Sequence, residues 1–135
     1  MTIKVVDPIS HPKKTSAQGT GKMILHDSPN FHVWIHGPDL PGDRGPMHKH
    51  TADQFFVCVQ GEITYNFPDQ PSATLTPGMM IIIPEGDFYQ IENKGTEETI
   101  MVGSRAEPGT KPRLSEAGKV VDATNLAEAG AHYVD

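Results

Sequence analysis

Two motifs framed by glycine and proline constrain the fold of this chain more than any other feature. The first reads Gly42-x5-His48-x-His50-x3-Gln54-x6-Gly61, and the second reads Gly78-x5-Pro84-x-Gly86-x2-Tyr89-x3-Asn93. Glycine and proline interrupt regular structure and mark turns. The residues between these interruptions form short runs, which have the length of β-strands and are too short for long helices.

Short strand-like runs separated by turn signals continue from residue 22 to residue 104. Their spacing predicts an all-β sandwich or barrel. The run Met79–Ile83 is apolar throughout and is predicted to be a buried strand. Residues 1–21 are rich in polar residues and turn formers and are predicted to be an N-terminal arm. Residues 105–135 are predicted to be an irregular C-terminal extension, with a short helix possible within 120–129.

Length and charge limit the classes of partner. A chain of 135 residues fits one domain with one sizeable core. Its net charge is -6 and it has no long basic run, which argues against nucleic acid and anionic membranes as partners. Cys58 is the only cysteine, so no intrachain disulfide forms. With no apolar run long enough for a signal peptide, these features predict a cytoplasmic protein.

The first motif contains a pattern suited to metal binding. His48 and His50 are two residues apart, so on an extended strand both imidazoles lie on the same face. Gln54 has the same parity and is directed to that face if the strand continues. A His-x-His pair with a nearby oxygen donor is a common arrangement for a divalent transition metal.

The order and spacing of the two motifs resemble those of the cupin superfamily, and all but two signature positions match. The resemblance covers residues 42–104 and implies a jelly-roll β-barrel over residues 22–104, commonly dimeric, with a pocket inside the barrel. It also implies a bound transition metal such as Fe, Mn, Ni or Zn. By position, the metal ligands of the family fall on His48, His50, Gln54 and Tyr89.

Two of these four ligand positions depart from the family pattern. Gln54 stands where the family has glutamate, and Tyr89 stands where it has histidine. Replacing glutamate by glutamine removes one negative charge from the site. A deprotonated Tyr89 would restore that charge, although the phenol has a reference pKa of about 10. The alternative is a neutral Tyr89 beside a metal held by the two histidines, Gln54 and water.

Strand parity suggests which side chains line the barrel. The predicted pocket residues are Trp34, Phe56, Tyr65, Ile82 and Met101. Such a lining suits an apolar or aromatic small molecule better than a sugar. His32 and His36 share the face of Trp34 and are predicted to be strand-surface or supporting histidines, and Cys58 a small buried side chain. An apolar outer face, formed by Phe55, Val57 and Val59, predicts a homodimer.

Three functional hypotheses follow. The first is a metal-dependent enzyme acting on a small organic molecule, with dioxygenase-like, lyase or isomerase chemistry and with Tyr89 as metal ligand or acid-base group. The second is a non-catalytic cupin that binds a small molecule. The third is a structural dimer with a vestigial site. The fold alone does not decide among them, because one fold hosts many chemistries.

Overall fold

The computed structural model describes residues 3–10, 22–115 and the backbone of residues 131–133. The strands are β1 (Lys22–Ser28), β2 (Phe31–Asp39), β3 (Gln54–Gln60), β4 (Ile63–Asn66), β5 (Ala73–Leu75), β6 (Met80–Ile83), β7 (Gln90–Glu92), β8 (Thr99–Arg105) and β9 (Ala131–Tyr133). No helix occurs within the described ranges. The predicted all-β jelly roll is therefore confirmed.

The strands form two sheets that face each other. The larger sheet has the order β6-β3-β8-β2-β1-β9, and the smaller has the order β5-β4-β7. Every pairing is antiparallel except that of β1 with β9, which is parallel. β9 lies in the region predicted to be irregular, so that prediction is wrong for residues 131–133. The predicted short helix within 120–129 lies outside the described residues.

The main core fills the space between the two sheets. It contains the buried side chains of Trp34, Phe56, Cys58, Ile63, Tyr65, Leu75, Ile83, Tyr89, Ile91 and Met101. Several of these are aromatic, with ring centroids 5.5 to 6.1 Å apart, which is the usual separation of packed aromatic pairs. Cys58 is buried among them, as predicted.

A second, smaller core lies on the outer face of the larger sheet. Met23, Ile35 and Ile100 are buried there, and Val6 of the N-terminal arm packs against them. The arm is also held by Lys4, whose Nζ donates to the carbonyl of Leu25 at 3.0 Å. Part of the outer face is thus covered by the chain itself.

The run Met79–Ile83 is not a fully buried strand. β6 is an edge strand, and Met80 and Ile82 are 55% and 66% exposed. The register explains this, because Gln54 pairs with Ile83 on the inner face and Phe55 pairs with Ile82 on the outer face. Ile82 therefore points away from the barrel interior, and its predicted place in the pocket is wrong.

No helix long and apolar enough to cross a membrane is found in the part of the chain that the structure describes.

Candidate functional site

The segment that carries the two histidines passes from one sheet to the other. Its first part runs antiparallel to the strand that ends the second motif, with the Gly45 amide donating to the Ile91 carbonyl at 3.0 Å. His48 and Tyr89 exchange two backbone hydrogen bonds, of 3.0 and 2.9 Å. Six residues later the chain enters β3 of the larger sheet at Gln54. The histidine pair therefore lies at the junction of the two sheets.

The turn of the second motif is hydrogen-bonded to the segment that carries the two histidines. The Gly86 amide donates to the carbonyl of His50 at 3.1 Å, and the Glu85 amide donates to Asp53 Oδ1 at 2.8 Å. Gly86 has a φ of +83°, a left-handed conformation that glycine adopts without a steric penalty. The glycine and proline frame thus fixes the backbone that presents the first motif to the second.

The four residues predicted as metal ligands come together. The ring centroids of His48 and His50 are 5.1 Å apart, and the ring of Tyr89 lies 4.4 Å from that of His48 and 6.1 Å from that of His50. The hydroxyl of Tyr89 donates to Gln54 Oε1 at 3.3 Å. All four side chains are buried. The two residues that depart from the family pattern therefore contact each other directly.

A backbone carbonyl orients the first histidine. His48 Nδ1 lies 2.8 Å from the carbonyl oxygen of Pro46, which only accepts hydrogen bonds. His48 therefore carries its proton on Nδ1, and its lone pair is on Nε2. Such an outer hydrogen bond is the usual means by which proteins fix the tautomer of a metal-binding histidine.

The second histidine is held neutral by its surroundings. Burial lowers the pKa of His50 far below its ordinary value of 6.5, and the positive charge of Arg105 lowers it further. His48, Arg113 and Lys22 act in the same direction. A neutral imidazole is the form that binds a metal ion.

A buried carboxylate lies beside His50 and is absent from both motifs. Glu107 Oε1 is 3.7 Å from His50 Nδ1 and 3.1 Å from Arg105 Nε. The Thr51 hydroxyl donates a hydrogen bond to the other oxygen, Oε2. Sequence reasoning assigned Glu107 to a polar extension, since no spacing links it to the motifs, and only the path of the chain after β8 brings it to the site.

The predicted pocket residues other than Ile82 lie in the barrel interior. Trp34, Phe56, Tyr65 and Met101 are buried, and Tyr65 donates its hydroxyl to Met101 Sδ at 3.0 Å. Burial raises the pKa of the Tyr65 phenol well above its ordinary value. These side chains form an aromatic and apolar wall next to the histidine pair.

His32 belongs to that wall and not to the strand surface. It is completely buried, and its ring stacks on Trp34 with a centroid distance of 4.8 Å. Burial, followed by the charges of Lys22 and Arg105, lowers the pKa of His32 to about 3. Lys22 Nζ also lies 4.5 Å from the centre of a Trp34 ring. His36 is partly buried and contacts Asp39 Oδ2 at 3.3 Å through Nε2.

The side chains at this site can bind a transition metal only if Gln54 and Tyr89, which are not among the usual metal ligands, contribute oxygen atoms beside the two histidines. Across residues 3–10 and 22–115, no three His, Cys, Asp or Glu side chains form a group that could hold a metal ion. Two imidazoles with fixed or neutral nitrogens are present, and the oxygens of Gln54 and Tyr89 lie beside them. A borderline ion such as Fe, Mn, Ni or Zn accepts this mixture of nitrogen and oxygen donors.

Comparison with known proteins supports the family resemblance. Residues 39–103 match the family model for the cupin domain. Auxin-binding protein T85 of Nicotiana tabacum is 30% identical over 88 residues, which are 58% of this chain and 46% of that protein. Gentisate 1,2-dioxygenase of a Ralstonia species is 30% identical over 61 residues, which are 45% of this chain and 17% of that enzyme. The chain thus spans less than half the length of each of these relatives.

Solved structures share the fold. A conserved protein of Klebsiella pneumoniae with a double-stranded β-helix domain superposes with a TM-score of 0.70 at 17% identity, covering 80% of this chain and 93% of that chain. At this identity the similarity concerns the fold alone.

Proposed function

Since this chain is a member of the cupin superfamily, by its matched domain and its jelly-roll fold, we propose that it is a metal-dependent enzyme acting on a small organic molecule. The observation that carries the proposal is the convergence of two buried histidines with Gln54 and Tyr89 at the junction of the two sheets. The name of one relative, a gentisate 1,2-dioxygenase, favours dioxygenase-like chemistry over lyase or isomerase chemistry.

In this proposal the chain supplies ligands, orientation and an apolar environment. His48 and His50 are the nitrogen ligands, and Gln54 and Tyr89 place oxygens next to them. A bound transition metal would act as a Lewis acid and as a template for the substrate. The Tyr89 hydroxyl is placed to donate a proton or a hydrogen bond to a substrate oxygen in place of Gln54.

The wall of the barrel suggests the kind of substrate. Trp34, Phe56 and Tyr65 are buried and packed ring against ring, so the interior beside the histidine pair is aromatic and apolar. An aromatic or otherwise apolar molecule is compatible with these surroundings, whereas a sugar would need many polar partners. We therefore propose a small aromatic or apolar substrate.

Metal content tests the first part of the proposal. The untagged protein would be loaded separately with Fe, Mn, Ni or Zn, desalted and analysed by elemental mass spectrometry. We expect about one ion per chain for one of these metals, since two oriented imidazoles and two oxygens are available. The variant with both His48→Ala and His50→Ala should retain almost none. The control is His26→Ala, which changes a histidine on β1 outside the site.

Turnover tests the second part. The loaded protein would be incubated with a panel of small aromatic and aliphatic molecules while oxygen uptake and product masses are recorded. Oxygen consumption with a product gain of oxygen, lost in the double histidine variant, would support dioxygenase-like chemistry. Metal-free wild-type protein after every loading would contradict the metal-dependent proposal.

A second candidate function is non-catalytic binding of a small molecule. Two observations favour it: neither unusual ligand position carries a histidine or a carboxylate, and several relatives are named auxin-binding proteins. Calorimetry of the metal-loaded protein with the same panel separates the candidates. Tight binding without any turnover would favour the binding protein.

We also propose that a second copy of the chain covers the outer patch, defined as the exposed side chains of Phe31, Met80 and Ile82. These are 49%, 55% and 66% exposed, although apolar side chains of this size are usually buried. The partly buried Phe55 and Val57 lie in the same sheet. A self-associating copy is the simplest cover for such a face.

A further inference from the structure

Glu107 contacts the side of His50 that faces away from a ligand bound at Nε2. Its Oε1 lies 3.7 Å from His50 Nδ1, and the two side chains are 7% and 4% exposed. The two nitrogens of an imidazole ring lie on opposite sides of it. Glu107 is therefore placed to support His50 from behind, and it does not compete with His50 for an ion at Nε2.

Both atoms of this contact lack a hydrogen bond of good geometry. His50 Nδ1 is a buried polar atom without such a partner, and Glu107 Oε1 has only its ion contact with Arg105 Nε at 3.1 Å. A buried unsatisfied donor or acceptor is costly, and the great majority of such atoms in folded proteins are paired. A movement of less than 1 Å between the two side chains would form the bond and give His50 Nδ1 the partner that it lacks.

The carboxylate is itself held from two sides. Arg105 Nε lies 3.1 Å from Oε1, and Thr51 donates to Oε2. Arg105 is the last residue of β8, and Thr51 follows His50 directly in the chain. Both partners of the Glu107 carboxylate therefore lie near the site. Glu107 is thus fixed in position before any ligand reaches His50.

We infer that Glu107 is a positioning residue that accepts a hydrogen bond from His50 Nδ1–H and so directs the Nε2 lone pair into the site. The inference rests on the proposed function for its consequence, which is metal ligation by His50. The carboxylate is itself paired with the Arg105 guanidinium, so Glu107 adds a hydrogen-bond acceptor behind His50 and adds no net charge to the site.

The tautomer of His50 tests this inference without any metal. Two-dimensional nitrogen–proton spectra of the metal-free protein distinguish a protonated from an unprotonated ring nitrogen, and the His50→Gln variant assigns the signals. We expect wild-type His50 to carry its proton on Nδ1. Glu107→Leu removes the acceptor and should shift the proton to Nε2. Glu107→Gln has nearly the same shape and keeps a weaker acceptor, so it should give an intermediate mixture.

Metal affinity provides the second readout, by competition with a coloured chelator. Loss of an outer-shell carboxylate typically weakens metal binding about 10- to 100-fold. We expect such a loss for Glu107→Leu and a smaller one for Glu107→Gln. Glu97→Gln, at an exposed site, is the matched control and should bind like the wild type.

The outcomes separate this inference from the proposed function. A His50 tautomer that is the same in wild type and in both Glu107 variants would overturn the inference, whatever the metal affinity. A tautomer that shifts as expected in a protein that binds no metal would support the positioning role and contradict the metal-dependent proposal. If Glu107→Leu does not fold, Glu107→Gln alone decides, because its shape is preserved.

Discussion

At the scale of single residues, the two positions that depart from the family pattern interact with each other. Gln54 and Tyr89 contact each other through a hydrogen bond of 3.3 Å, and each occupies a position that the family pattern gives to another residue. The two side chains form a complementary pair, since the phenol donates and the amide oxygen accepts. A carboxylate at position 54 would face the same hydroxyl with a charge that has to be buried.

Gln54→Glu tests the charge of the site. We expect the metal-free variant to be less stable than wild type, because burying a charged carboxylate without a counter-ion is costly. Its metal affinity should rise more than about tenfold, since one added negative charge at contact distance outweighs 1.4 kcal/mol even at an effective dielectric of about 20. Thermal melts with and without metal, and chelator competition, measure both effects.

Gln70→Glu adds the same charge in an exposed turn and should change neither quantity. If Gln54→Glu binds metal no more tightly than wild type, the side chain at position 54 does not contact the ion.

The sequence predicted the convergence of these residues but not their supports. The turn glycines and prolines identify the two motifs, and strand parity places His48, His50 and Gln54 on one face. Glu107 has no such signal, because its place depends on the path of the chain after β8. The position of a side chain in a loop is determined by tertiary structure, and no periodicity of the sequence reveals it.

At the scale of elements, β8 has a glycine at the point where the aromatic side chains approach its backbone. Gly103 lies beneath Trp34, and a Cβ built at Gly103 would lie 2.5 Å from Trp34 Cζ2 and 2.9 Å from Phe56 Cε1. The glycine is therefore needed for space. Its neighbours Met101 and Arg105 contribute their side chains to the same inner face.

Gly103→Ala should destabilise the protein by about 1–3 kcal/mol, the usual cost of overpacking a core. Urea unfolding followed by tryptophan fluorescence measures this, because Trp34 is the only tryptophan of the chain. Gly45→Ala is the control, since its nearest neighbour would be 3.8 Å away, and it should change the stability by less than about 0.5 kcal/mol. Equal effects of the two substitutions would contradict the steric explanation.

A buried histidine on β2 should make the stability depend on pH. The pKa of His32 is lowered from 6.5 to about 3, so between these values the unfolded chain binds a proton that the folded protein does not. Stability should therefore fall as the pH falls through this window, by up to about 1.4 kcal/mol per pH unit from this group.

His32→Phe isolates that contribution. The phenyl ring keeps the stacking on Trp34 and does not titrate, so the difference between variant and wild type in the free energy of unfolding should grow as the pH falls from 7 to 4. A difference that does not change with pH would show that folding does not lower the pKa of His32 and would contradict the prediction.

Errors of the sequence prediction at this scale also have a physical cause. The run Met79–Ile83 has no polar residue to mark its outer face, so its periodicity does not reveal which residues point inward. The register with β3 decides this and leaves Ile82 outside. β9 was missed because three residues that pair at a sheet edge leave too short a pattern to detect.

At the scale of the whole molecule, the outer face of the larger sheet carries two apolar regions, of which one is covered by the chain itself and the other is exposed. One is covered by Val6 of the N-terminal arm, and the other is the outer patch of Phe31, Met80 and Ile82. Exposed apolar patches usually mark interaction sites. The N-terminal arm thus covers one apolar region of the sheet, and we propose that a second copy of the chain covers the other.

Light scattering after gel filtration tests the homodimer. We expect about twice the chain mass of 14.7 kDa for wild type, and a monomer for Ile82→Asp, because a buried charge without a partner opposes association. Ile3→Asp is the control, since Ile3 is 92% exposed and lies in the arm. A monomeric wild type at high concentration, or an Ile82→Asp dimer, would contradict the proposal.

The position of the histidine segment has one more consequence. Because this segment is paired with Tyr89 at one end and continues into β3 at the other, anything bound between His48, His50 and Gln54 ties the two sheets together. Occupancy should then slow amide hydrogen exchange in β7 and β3 alike, although these strands belong to different sheets. A bound ligand would add a cross-link between the two sheets beyond their shared core, and exchange mass spectrometry would reveal that coupling whatever the identity of the ligand.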